Sequence, residues 1–149
     1  MFRFVNWVRM VAALLFLSCI MIPAYAEPPD VEGARFRVLH PNDFEHYVKS
    51  FNENDEELYP QHIPNEKAWE SLRANVPLFE CPDNDIEKIY HFRWWTFRKH
   101  IKKTPDGFII TEFLPKVGWS GKHNSISCPA GHHLYEGRWL RNSKYLDDY

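Results

Sequence analysis

Six polar side chains in the second half of the chain, Arg93, Glu112, His132, His133, Glu136 and Arg138, are of types that hydrogen-bond hydroxyls or carry protons. Trp94, Trp95, Trp119 and Trp139 are interspersed with them. Sugars are held in this way, with aromatic faces against their C–H surface and planar polar groups against their hydroxyls. Arg93 lies in an apolar stretch where an unpaired charge would be costly. It is therefore either a pocket ligand or one half of an ion pair. Glu112 falls in an apolar segment, on the face shared with Phe108 and Ile110. A buried carboxyl holds its proton more tightly, as a general acid must; pairing with Arg93 or Arg98 is the structural alternative. Glu136 could face Glu112 across a cleft, cap a helix, or pair with Arg138. No two acids have a spacing that demands catalysis.

Other chemistries are weaker fits. His123, Cys128, His132, His133 and Glu136 fall within one segment and could ligate zinc, but their spacing matches no defined site. No metal and no cofactor is expected. Ser120 and Lys122 lack the nucleophile elbow and nearby acid of a hydrolytic serine.

These residues need elements to position them. Asp83 or Asn84 opens a long helix on which Ile86, Ile89, Tyr90, Trp94, Phe97 and Ile101 share one side, the spacing of a buried face. Phe92 and Trp95 lie off that stripe, so the helix is expected to be covered on more than one side. Trp94 is read as core, and Trp95 and Trp119 as sugar platforms. Arg98, Lys99, His100, Lys102 and Lys103 place basic charge in the last turn, opposite the helix dipole's negative end. Thr104-Pro105-Asp106-Gly107 is a turn, because Pro fixes φ and Gly accepts positive φ. Residues 108–114 read as a strand, residues 115–137 as a functional loop, and residues 135–149 as the start of another helical unit. Upstream, Asp43 is a plausible cap for a helix through Phe51. Asn65 can cap a second helix carrying Ala68, Trp69, Leu72 and Val76, which Pro77 ends.

The chain has 149 residues, room for one ordinary domain, and a formal charge of −2, which is not the basic signature of a nucleic-acid binder. The acidic run at residues 53–57 reads as a solvated connection. Arg3 and Arg9, the apolar residues 11–22 and Ala24-Tyr25-Ala26 have the plan of a secretory signal peptide, residues 1–26. The mature chain, near Glu27 onward, is expected to be secreted or periplasmic, with a net charge of −4 once Arg3 and Arg9 are removed. The apolar run is too short for a comfortable transmembrane span. Lipid modification at Cys19 is the alternative for that segment. Cys81 and Cys128 are either a disulfide or two free thiols, since sequence cannot place two Cα atoms. Residues 27–64 are read as a leader and N-terminal segment, and residues 65–149 as the principal domain.

Several motifs together resemble a known family. They are Pro77-Leu78-Phe79-Glu80-Cys81-Pro82, Tyr90-His91-Phe92-Arg93-Trp94-Trp95 and Ile110-Thr111-Glu112-Phe113-Leu114. Trp119, Gly131-His132-His133 and Glu136-Gly137-Arg138-Trp139-Leu140 follow. In this order they are similar to the six-hairpin, (α/α)6-barrel glycoside hydrolases, in the branch of mannosylglycerate hydrolase and trehalase-like glucosidases. The resemblance covers residues 65–149. It implies a mainly α fold with a short β segment, the opening helical hairpins of an (α/α)6 toroid whose loops build a sugar pocket. It also implies inverting hydrolysis by two carboxyl groups. In that family the carboxylates come from later helices, so the chain is expected to be an N-terminal part of the catalytic domain. Its substrate-binding candidates are Arg93, Trp95, Trp119, His132, His133 and Arg138. The catalytic residues are unknown, with Glu112 and Glu136 as candidates. The expected partners are an oligosaccharide or glycoside and the remaining part of the same domain. Two alternatives stand beside this reading: a non-catalytic carbohydrate-binding or cell-envelope interaction module, and a His/Cys zinc protein.

Overall fold

Asp83 opens the longest helix, and its carboxylate accepts hydrogen bonds from the backbone N–H groups of Asp85 at 3.0 Å and Ile86 at 3.3 Å. That cap satisfies donors a helix start leaves unpaired. The computed structural model describes Val38–Tyr149, which forms one unit. The segment read as a signal peptide, Cys19 and the residues read as a leader before Val38 lie outside the described residues.

The unit is mainly helical. In chain order it contains a 3-10 turn Pro41–Asp43, α1 Glu45–Glu53, α2 Asn65–Asn75 and α3 Asn84–His100. Then follow β1 Ile101–Thr104, β2 Gly107–Ile110, a 3-10 turn Lys122–Asn124, α4 Ala130–Gly137 and α5 Lys144–Asp147. α1, α2 and α3 pack together, and α5 closes over β2. Val48, Phe51 and Ile63 share one core with Leu72, Val76, Trp94 and Phe97. Val48, Phe51 and Ile63, from before Asn65, thus contribute to this core.

The caps of the first two helices differ from expectation. Phe44, not Asp43, stands at the N-cap of α1, with its ring buried. Pro64 is the N-cap of α2. The Asn65 side chain is drawn away to donate to Asp55 at 2.8 Å and to accept from Arg98.

The buried face of α3 is rotated from the expected stripe. Ile86 and Ile89 are 51% and 65% exposed, whereas Glu87, His91, Trp94, Trp95 and Arg98 are buried. Glu87 and Arg98 occupy this face with hydrogen-bond partners, and His91 packs its ring against Phe44 and Tyr47. Glu87 accepts from the Tyr47 hydroxyl at 3.0 Å and the Cys81 N–H at 2.9 Å. Arg98 donates to Gln61 Oε1 at 2.8 Å, to the Ile63 carbonyl at 2.6 Å and to Asn65. Hydrogen bonding of this kind offsets the cost of burying polar atoms.

The helix ends at His100, and Ile101, Lys102 and Lys103, expected in its last turn, form β1. β1 pairs antiparallel with β2 in the register Ile101↔Ile110 and Thr104↔Gly107. The turn between them was legible: Gly107 has φ +126°, and the Thr104 hydroxyl donates to its carbonyl at 2.8 Å. The strand expected through Leu114 stops at Ile110. Thr111 N–H still reaches the His100 carbonyl at 2.9 Å, but its hydroxyl donates to the carbonyls of Phe113 and Asn124 and bends the chain away.

Cys81 and Cys128 are separate thiols, the first half-buried and the second exposed. Among the described residues no helix is long and apolar enough to cross a membrane.

Candidate functional site

Four elements bring titratable side chains together at one end of the hairpin. α3 supplies Arg93 and His100, the segment after β2 supplies Glu112, α4 supplies His133 and Glu136, and the chain after α5 supplies Tyr149. The two α4 residues were expected in a loop. On a helix, His133 and Glu136 are three apart and so share a face.

Glu112 is the centre. Its Oε2 accepts from the Ile126 N–H at 3.2 Å, and its buried Oε1 has no hydrogen-bond partner among the described residues. His133 Nδ1 lies 3.6 Å from that Oε1 and shares a 2.9 Å hydrogen bond with the Tyr149 hydroxyl. Burial, with the nearby His100 and Arg93 charges, holds the His133 imidazole below its ordinary range, although Glu112 and Glu136 oppose this. His133 is therefore neutral at pH 7. Burial and the Glu112 carboxylate push the Tyr149 phenol up. His100 is anchored by Nδ1 to the Thr111 carbonyl at 2.7 Å and is also held down, chiefly by burial. A carboxyl group, an imidazole and a phenol thus lie in sequence, the kinds of group between which protons can pass.

Arg93 does not sit in an apolar interior. Its side chain is 55% exposed and pairs with Glu136 Oε2 at 2.5 Å. This is the ion-pair alternative, made with Glu136 rather than Glu112, and Glu136 does not pair with Arg138. Arg138 instead lies over the exposed rings of Tyr135 and Trp139, at 4.8 and 5.2 Å from their centroids. His132 is exposed on α4.

The two candidate platforms separate sharply. Trp95 is 5% exposed, donates from Nε1 to Asn52 Oδ1 at 2.7 Å, and carries the Arg98 and Lys99 cations against its ring. It is a core residue, and no open face remains for a sugar. Trp119 is 70% exposed and packs edge-on to Phe113 at 5.1 Å. Its loop is tied by Asn124, whose side chain donates to the carbonyls of Phe113 and Pro115 and accepts from the Val117 N–H and the Ser120 hydroxyl. Asn124 has φ +61°, in the left-handed region that Asn tolerates better than most residues.

The zinc set does not assemble. His123 turns to Asp106 at 3.0 Å and His133 to Glu112 and Tyr149. Among the described residues no three His, Cys, Asp or Glu side chains converge as a metal site would require.

Sequence reasoning missed Tyr149, His100 and Asn124. Nothing local marks Tyr149, His100 was absorbed into the basic helix end, and only the Asn124-Ser125 pair hinted at a turn.

No family model and no curated protein matches the chain. A solved structure named as a sialidase matches 74% of this chain at 53% sequence identity with a TM-score of 0.72. The match covers 10% of that structure's chain, so this chain spans about a tenth of the length of its solved neighbour.

Proposed function

We propose that this chain is a carbohydrate-binding segment of a glycoside hydrolase-related protein. The observation that carries this reading is the 53% identity to a structure named as a sialidase, over 74% of the chain. Because that match spans 10% of the neighbour, the reading assigns the segment sugar binding rather than the complete hydrolytic machinery. The site supports the division. Glu136 is engaged by Arg93 and Glu112 faces His133, so neither acid stands free as one member of an inverting pair. His132, His133, Arg138 and the exposed ring of Trp119 remain for hydroxyls and sugar faces. Export through residues 1–26, the six-hairpin branch, and a place among the opening hairpins of an (α/α)6 toroid are part of the same proposal.

A second reading is a non-catalytic carbohydrate-binding module. The exposed aromatic group Trp119, Tyr135 and Trp139 favours it, since platforms bind sugars without acid–base chemistry.

One experiment serves both. The full chain is offered fluorogenic α-sialosides, α-glucosides and α-mannosides, and binding of the matching oligosaccharides is followed by tryptophan fluorescence. We expect binding that Trp119→Ala weakens several-fold while the fold, judged by circular dichroism, is unchanged. Turnover abolished by Glu112→Gln would instead place the acid here. Neither binding nor turnover across the panel would refute the reading.

A further inference from the structure

Two hollows flank the hairpin on the side of Lys102. The first, about 290 Å³, lies between β1 and the chain around His62; the second, about 410 Å³, lies inside the Asn124 loop. They share Lys102 and Leu114 as a common wall, and no Asp or Glu lines either one. This absence of acid is local, because the whole chain carries a net charge of −2. Lys99 is matched by Asp55 at 2.7 Å. Lys102 donates to the His123 carbonyl at 2.9 Å, which leaves its charge whole. Lys103 in the first hollow and Lys116 in the second are exposed and pair with no carboxylate among the described residues. The field reaches His62, whose imidazole is held down by burial and then by Lys103 and Lys144.

We propose that this double hollow binds a linear polyanionic saccharide, one that carries carboxylate or sulfate groups on successive sugar residues. A single anion meets the unpaired cation of one hollow, whereas a chain of anions engages Lys103, Lys102 and Lys116 together. Trp119 supplies the sugar platform beside the hollows: it lines neither one, but its chain neighbours Gly118 and Ser120 line the second and its exposed ring packs edge-on against Phe113 of the first. The Asn124 hydrogen bonds tie the backbone of the loop that carries Trp119 before binding, which lowers the ordering cost of that loop. The choice of a saccharide rests on the function proposed above.

The test is calorimetric titration of the full chain with a heparin-derived hexasaccharide, an oligogalacturonate, maltohexaose and a single-stranded oligonucleotide. The first two distinguish sulfate from carboxylate as the preferred anion. We expect at least one of them to bind, to weaken as salt is raised, and to lose about ten-fold in affinity in the Lys102→Gln/Lys116→Gln variant. Lys49→Gln on α1 leaves affinity unchanged. Binding should also raise the His62 pKa, read by NMR, because a bound anion offsets Lys103. Equal affinity for maltohexaose overturns the polyanion inference and leaves the carbohydrate function standing; no binding of any of these saccharides overturns the polyanion inference, and the sialoside, glucoside and mannoside panel decides the carbohydrate function separately. Equal affinity for the oligonucleotide, or an unaffected lysine variant with a native circular dichroism spectrum, overturns the inference as well.

Discussion

Arg93 on α3 and Glu136 on α4 form a 2.5 Å ion pair between positions 43 residues apart, with the arginine side chain 55% exposed. The pair links the two helices that frame the candidate site, yet water reaches the guanidinium. Exposed pairs of this kind contribute little, about 0.2–1 kcal/mol. A double-mutant cycle with Arg93→Ala and Glu136→Gln, read from urea unfolding, should return a coupling in that range. A coupling well above it would mean that the pair is shielded in solution and acts as a strut of the site.

Trp95 and Trp119 should behave as opposites. Truncating a buried tryptophan costs about 3–5 kcal/mol, and Trp95→Ala also strips the ring beneath Arg98 and the partner of Asn52. Trp119→Ala at an exposed loop position should stay within about 0.5 kcal/mol of the parent. Denaturant midpoints of the two variants decide the matter. Equal losses would contradict the placement of Trp95 in the core.

Acidification should destabilise the fold through its histidines. His62, His91, His100 and His133 are all held below the ordinary imidazole value, burial being the largest cause in each. Below about pH 6.5 the unfolded chain binds protons that the folded chain resists, so stability falls as pH falls. The melting temperature should therefore drop progressively from about pH 6.5 downward. His91 is 3% exposed, stacks on Tyr47 at 5.2 Å and leaves Nε2 without a hydrogen-bond partner among the described residues. His91→Phe should shrink the acid slope. A melting temperature flat across this window would refute the argument.

The two cysteines should react independently. Cys128 is exposed and Cys81 half-buried behind the contact of its N–H with Glu87. Peptide mapping after brief alkylation should find Cys128 modified first, since an alkylating agent reaches the exposed thiol more readily. Recovery of a peptide linking Cys81 to Cys128 would contradict the separate thiols.

Gly107 should resist substitution. Its φ of +126° is a conformation that side chains rarely adopt, and an added Cβ would meet Asp148 at 3.0 Å. Gly107→Ala should cost more than about 1 kcal/mol and disturb the Phe108 N–H bond to Asp148 Oδ2 at 3.1 Å. A loss under that value in chemical denaturation would argue against the turn.

Local chemistry was legible in the residues themselves. The Asp83 cap, the start of α3, the Thr104-Pro105-Asp106-Gly107 turn and the mainly helical class follow from forces acting over a few neighbouring residues. The side of α3 that is buried did not follow. Ile86, Ile89, Tyr90, Trp94, Phe97 and Ile101 make the more apolar stripe, but Glu87 and Arg98 turn inward because Tyr47, Cys81, Gln61, Ile63 and Asn65 supply hydrogen-bond partners, and His91 because Phe44 and Tyr47 pack on its ring. A hydropathy pattern cannot register hydrogen bonds across 35 or 40 positions. The same limit applies to the site. Arg93, Glu112, His133 and Glu136 were recognisable as types able to do chemistry. Their pairing, the addition of Tyr149 and the withdrawal of Trp95 into the core depend on how α3, α4 and the hairpin pack. Sequence spacing marks residues that share a face of one element; only packing between elements brings side chains from different ones within bonding distance.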